Sequence, residues 1–155
     1  MTKLNNKRGF TTLELLAAVI IVLLLATVSI TIISRVETWA GIAQTKTEII
    51  QIAMAVEMEK YDTGFYTLNL TELNSPNAPT GINARAWKGP YQERNSFFDP
   101  WNMPYILTRQ DGGTDTPVPN NIPYLITSYG ADKLPGGTGL NSDIVWRSDY
   151  STFQD

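Results

Sequence analysis

Between Glu14 and Arg35 the chain runs for twenty residues without a charge, LLAAVIIVLLLATVSITIIS at positions 15–34. At 1.5 Å rise per residue a helix of that length covers about 30 Å, the thickness of a bilayer's hydrocarbon core. A helix apolar on every side needs lipid or the interior of a large protein around it. A chain of 155 residues cannot build such an interior, so the run is read as a membrane-spanning helix. Mean hydropathy over the whole chain is nonetheless −0.14, which makes the remainder distinctly polar. Lys3, Lys7 and Arg8 precede the span. The positive-inside bias then puts Met1 in the cytoplasm and the C-terminal part outside.

Composition removes several chemistries. The chain has no Cys and no His, which excludes thiolate nucleophiles, disulfides, zinc sites built on Cys or His, and imidazole general bases. Lys and Arg number 12 against 15 Asp and Glu, a net charge of −3, so no nucleic-acid partner is expected. Glu57 and Glu59 are two steps apart on a helix and do not face each other as an acid/base pair, so they are read as a solvated face. Asp111 and Asp115 lie in a Gly/Thr loop and need no role. Gly136-Gly137-Thr138-Gly139 matches neither phosphate-binding glycine pattern. Trp87, Trp101 and Trp146 are read as head packing, with Trp101 packing its turn on the sheet. No catalytic set emerges, and an enzyme is not expected.

The residues before the span carry a further signal. An ordinary secretory signal has its small-residue cleavage site after the apolar stretch. Here Gly9 comes before it, within Lys7-Arg8-Gly9-Phe10-Thr11-Thr12-Leu13-Glu14. A carboxylate at the edge of a span costs free energy and calls for a partner. A plain signal-anchor shares the topology but leaves Glu14 without a use. The pattern resembles the leader of type IV prepilins: a short basic segment, Gly, an apolar or aromatic first residue, Glu four residues later, then the apolar helix. The resemblance implies cleavage between Gly9 and Phe10 by a membrane-embedded prepilin peptidase, and N-methylation of Phe10. It also implies that Glu14 neutralises the amine of a neighbouring subunit's Phe10 in an apolar filament core and so sets axial register. Many members have a proline and a glycine within the apolar helix; this chain has Thr31 and Leu23 there.

From Val36 the pattern becomes amphipathic. Trp39, Ile42, Ala43, Ile49, Ile50, Ala53 and Val56 recur at helical steps, with Glu37, Gln44, Glu48, Gln51 and Glu59 on another face. One helix is therefore expected from near Phe10 to about Tyr61, with Gly41 its weak point. After Asp62-Thr63-Gly64 turn formers dominate, and a short helix or turn is expected around Thr71-Glu72. Strands are predicted at 104–109 (PYILTR), 123–128 (PYLITS) and 143–147 (DIVWR). The fold class is α+β: a long N-terminal helix packed on a small antiparallel sheet, with a loop-rich head. The organisation is a leader at 1–9, a membrane or filament-core helix at 10–34, its amphipathic continuation at 35–61 and an extracytoplasmic head at 62–155.

Within the head, Trp87-Lys88-Gly89-Pro90-Tyr91, Asp99-Pro100-Trp101-Asn102-Met103-Pro104-Tyr105, Tyr124 to Asp132 (YLITSYGAD) and Gly136-Gly137-Thr138-Gly139 before Asp143-Ile144 follow in order. This succession resembles the major pseudopilins of type II secretion systems, within the pilin fold. The resemblance implies a structural subunit of a periplasmic pseudopilus, anchored in the inner membrane and surrounded by lipid before assembly. Its partners would be copies of itself, minor pseudopilins, the inner-membrane assembly platform and the prepilin peptidase. The alternative is a type IV pilin of a surface fibre used in adhesion, motility or DNA uptake; an anchored binding module or enzyme is a third possibility.

Oxygen donors gather in 128–143, in a glycine-rich loop: Ser128, Asp132, Asn141, Ser142 and Asp143. Calcium takes 6–8 oxygens and tolerates irregular loops; softer metals are disfavoured without thiolate or imidazole. A solvated turn holding no ion is the alternative. The resemblance implies a structural calcium (Ca2+) here, with Ser128, Asp132 and Asp143 matching the family's loop. Where relatives often have consecutive aspartates this chain has Ser142-Asp143, one carboxylate fewer, which weakens the expected affinity or transfers a ligand role to Asn141 or a carbonyl.

Overall fold

The first proline of the chain is Pro76, so nothing before it obliges a helix to stop. The structure, a computed structural model, describes residues 10–93 and 97–154, without the side chains of 28–34. A single helix, α1, runs over Thr12–Thr63. It ends where Gly64 adopts φ 78° and donates its N–H to the Lys60 carbonyl at 3.0 Å, a left-handed cap that a side chain would strain. The chain divides into two compact units, Met1–Glu37 and Thr38–Asp155.

In the first unit, Leu15, Leu16, Val19, Ile20 and the residues on to Leu25 are all exposed. The expected leader, 1–9, lies outside the described residues. Among the described residues no helix is long and apolar enough to cross a membrane; the side chains of 28–34, the second part of the charge-free run, are not among them.

The second unit is a head built on the C-terminal half of α1. Two short strands, β1 (Phe65–Tyr66) and β3 (Val118–Pro119), pair antiparallel. A four-stranded antiparallel sheet has the order β2-β4-β5-β6, with β2 Ile106–Arg109, β4 Tyr124–Ser128, β5 Ile144–Arg147 and β6 Thr152–Gln154. Its register aligns Leu107, Ile126, Trp146 and Phe153 across all four strands. The three predicted strands are present, and a 3-10 helix over Leu70–Asn74 stands where the short helix was expected. The β1–β3 pair and β6 were not anticipated. Two X-Pro bonds are cis, Gly89-Pro90 and Thr116-Pro117.

Ile49, Ile52, Ala53, Ala55 and Val56 of α1 form the core with Tyr66, Leu73, Tyr105, Leu107, Val118, Tyr124 and Ile126. The helix face differs from the expected one at several positions. Trp39 is 62% exposed and Ala43 is exposed, whereas Thr45, Glu48 and Glu59 are buried. The two acids are drawn inward by donors on the head: Tyr105 gives its hydroxyl to Glu48 Oε2 at 2.6 Å, and Thr67 gives its N–H to Glu59 Oε2 at 3.2 Å. Burial and the Glu48 hydrogen bond push the Tyr105 phenol well above its ordinary range.

Gly41, expected as a weak point, is a packing position. A Cβ there would stand 2.7 Å from Cζ2 of Trp101, so the indole lies directly on the helix backbone and not, as expected, on the sheet. Asp99 holds the turn that aims it. Its buried carboxylate accepts the N–H groups of Trp101 (3.0 Å) and Met103 (2.9 Å), and its own N–H donates to the Met103 carbonyl at 2.8 Å. This is the Asx-turn chemistry of Asp-Pro sequences.

Candidate functional site

Two clusters carry the residues singled out in the sequence. The first is the N-terminus of α1. Thr11 accepts the Glu14 N–H on Oγ1 at 3.2 Å, while Glu14 Oε2 accepts the Thr11 N–H at 2.9 Å and the Thr11 hydroxyl at 3.0 Å. This reciprocal arrangement is a capping box, in which an N-cap Thr and a Glu three residues on satisfy backbone donors that the first turn leaves open. Phe10 lies just outside it, 87% exposed. Gly9 lies outside the described residues. The structure thus gives Glu14 a task within its own chain that the sequence reading did not consider: its carboxylate is held in place at the mouth of the apolar helix.

The second cluster is the loop between β4 and β5. Lys133 and four of its glycines (130, 136, 137 and 139) have positive φ, which curls the loop tightly. Gly136 donates its N–H to Asp143 Oδ2 at 3.0 Å, and Asp143 donates its own to the Gly136 carbonyl at 3.1 Å. Gly137 (φ 82°) leaves no room for a side chain. A Cβ there would overlap the Asn141 carbonyl oxygen and stand 3.2 Å from Asp132 Oδ2. Asp132, Asn141 and Asp143 are therefore brought to the Gly136-Gly137 bend from three points of the loop. Asp132 Oδ1 caps the Leu134 N–H at 3.1 Å, which leaves Oδ2 as the oxygen nearest Gly137.

Asp143 Oδ1 is buried, and among the described residues nothing hydrogen-bonds to it. A buried carboxylate oxygen without a donor is costly, so it calls for a cation or an ordered donor. The Asp132 and Asp143 carboxylates and the Asn141 carbonyl at the bend are oxygen donors, the kind that suits a hard cation. Among the described residues no group of three or more acidic side chains could share a metal ion; two carboxylates and backbone carbonyls are what the loop offers.

Ser128 is not part of this group. Its buried hydroxyl donates to Asp99 Oδ2 at 2.6 Å and accepts the Gly130 N–H at 3.1 Å. It ties the start of the loop to the Trp101 turn. The role of Asp99 at this junction was missed from sequence; the signal was the Asp-Pro dipeptide before Trp101.

Comparison with known proteins places the chain. The family profile for type II secretion system protein G matches residues 32–147, most of the chain. The type II secretion system core protein G of Vibrio cholerae serotype O1 is 29% identical over 147 residues, which covers 93% of this chain and 94% of that protein. The match takes in the second part of α1, the Asp99–Trp101 turn and the curled loop up to the end of β5, so the chain belongs to the type II secretion system protein G family, structural pseudopilins and not enzymes.

Proposed function

We propose that the chain is made as a precursor, cut between Gly9 and Phe10 by a prepilin peptidase, N-methylated on Phe10, and polymerised through its apolar helix into a periplasmic pseudopilus that drives protein export. Before assembly the helix spans the inner membrane with the head outside. The observation that carries this reading is the carboxylate at the mouth of the charge-free run. Glu14 is fixed by Thr11 through Oε2, and its second oxygen is left to meet the amine of a neighbouring copy. The uniformly exposed apolar residues 15–25 favour burial in lipid and then against other copies.

The residues at the Gly136-Gly137 bend fit a calcium ion. Asp132, Asp143 and the Asn141 carbonyl would hold it, with Ser128 supporting the loop from behind through Asp99. The bound ion would supply the positive charge that the buried Asp143 Oδ1 lacks.

The functional test is loss of the chain from its host. Export of the secretion system's substrates should stop and return with the wild-type chain, while surface fibres, motility and DNA uptake continue. Intact export with missing fibres would instead assign the chain to a type IV pilus.

A further inference from the structure

The last turns of α1 contain a carboxylate to which pseudopilus assembly gives no role. Glu59 is fully buried. Its Oε2 accepts the Thr67 N–H, and its Oε1, also buried, has no hydrogen-bond partner among the described residues. Thr67, itself buried, gives its hydroxyl to Glu72 Oε2. Two carboxylates, one from α1 and one from the 3-10 helix, are thus fastened to the two donors of a single residue.

Two lysines of this neighbourhood are committed elsewhere. On α1, Lys60 bonds Glu57 at 2.9 Å, and Asp62 is held by Lys88 at 2.8 Å. Among the described residues, the groups of the head that act on Glu59 are the Thr67 N–H, the Glu72 carboxylate and the phenol of Tyr91, none of them a cation. An ion buried without a counterion is expensive, and a second carboxylate tied to the same residue adds repulsion.

We propose that Glu59 and Glu72 form a one-proton lock on the junction where α1 gives way to the head. With a proton on Oε1, Glu59 is neutral, and Oε2, now the carbonyl oxygen, still accepts the Thr67 N–H. Loss of that proton leaves two negative charges on Thr67, and the junction loosens. The movement has a defined route. The carbonyl of Leu73, next to Glu72, accepts the N–H groups of Tyr91 at 2.8 Å and Gln92 at 3.1 Å. The Tyr91 hydroxyl in turn donates to Asp62 Oδ2 at 3.2 Å and accepts the Lys88 N–H at 3.1 Å. Residues 88–92 therefore follow the 3-10 helix. Pro90 and Tyr91 are one wall of an open cleft of about 730 Å³ whose floor includes Met54, Met58 and Tyr61 of α1. The proton governs how firmly that wall is held to the helix.

Burial chiefly, with help from the Glu72 charge and against the Thr67 hydrogen bond, pushes Glu59 up to about 7 from 4.5. A carboxyl whose folded value is raised binds its proton more tightly in the folded state. Its contribution is therefore complete below about 4.5 and declines as pH rises to about 7, then stays flat. The carboxylates held low by partners, Asp62, Asp111 and Asp149, act in the opposite sense and at lower pH.

The test is denaturant unfolding of the full chain in detergent at pH 5, 6, 7 and 8, with hydrogen-exchange protection of the Tyr91 and Gln92 amides. Between pH 5 and 7 the unfolding constant of the wild type should rise toward tenfold per unit, and protection of both amides should fall. Glu59→Gln should flatten the profile and retain protection at pH 8. Glu72→Gln, which keeps Glu59, should move the inflection to lower pH and serves alone if the first variant does not fold. The lock is overturned if both variants track the wild-type profile, or if the profile flattens while Tyr91 and Gln92 protection does not change.

Discussion

Replacing Glu14 with Ala is expected to eliminate pseudopilus polymer while the chain is still inserted and clipped. In an apolar bundle, removing the carboxylate leaves the Phe10 amine of the adjacent copy buried and unpaired. That costs roughly 3–5 kcal/mol, and since about 1.4 kcal/mol is tenfold in an equilibrium constant, each contact weakens more than a hundredfold. The capping box complicates this variant, because Ala also removes the acceptor of the Thr11 N–H, worth about 1 kcal/mol of helix-end stability. Glu14→Gln separates the two. Glutamine serves at the third position of a capping box as well as glutamate does, but it has no charge to offer an amine. Sheared filaments, counted by sedimentation and electron microscopy, should be absent from both variants. Wild-type filament yield from Glu14→Gln would reduce Glu14 to a capping residue and remove its register role.

Stripping divalent cations should lower the melting temperature of the head by roughly 10 °C. A ligand present at a hundred times its dissociation constant stabilises by about 2.7 kcal/mol, and a domain of this size loses several degrees per kcal/mol. Added calcium should restore the transition. Asp132→Ala should melt at the chelated temperature with or without the ion, because the curled loop then has one carboxylate left, Asp143. Gly137→Ala should do the same by another route. Its Cβ would displace the Asn141 carbonyl and force a side chain into a left-handed conformation. Melts of the wild type that coincide with and without chelator would mean that Asp143 Oδ1 is satisfied by something other than a cation.

Much of this architecture was legible in the residues because it rests on long, repetitive patterns. The unbroken helix follows from the absence of proline before Pro76 and from apolar recurrence at helical steps. The strands β2, β4 and β5 are apolar runs bounded by turn formers. What escaped notice depends on contacts distant in sequence. Glu48 and Glu59 look like surface residues until Tyr105 and Thr67 are folded onto them. Their burial moves the inward stripe of α1 round toward Thr45, Ile52 and Ala55 and leaves Trp39 outside. Gly41 reads as a defect until Trp101 lies on it. The β1–β3 pair is two residues long and includes Pro119, too little for any periodicity to register. In the curled loop the donors were visible by type, and Asp132, Asn141 and Asp143 do converge. The diversion of Ser128 to Asp99 required knowing that the Asp-Pro turn comes to rest beside β4.

The claim on which the rest stands is that the mature chain begins at Phe10. N-terminal sequencing and intact mass of the protein recovered from its own host, with and without prepilin peptidase, test it most directly. The account predicts N-methylphenylalanine followed by Thr11-Thr12-Leu13-Glu14 when the peptidase is present, and a chain starting at Met1 when it is absent. A protein that starts at Met1 in both strains would contradict it.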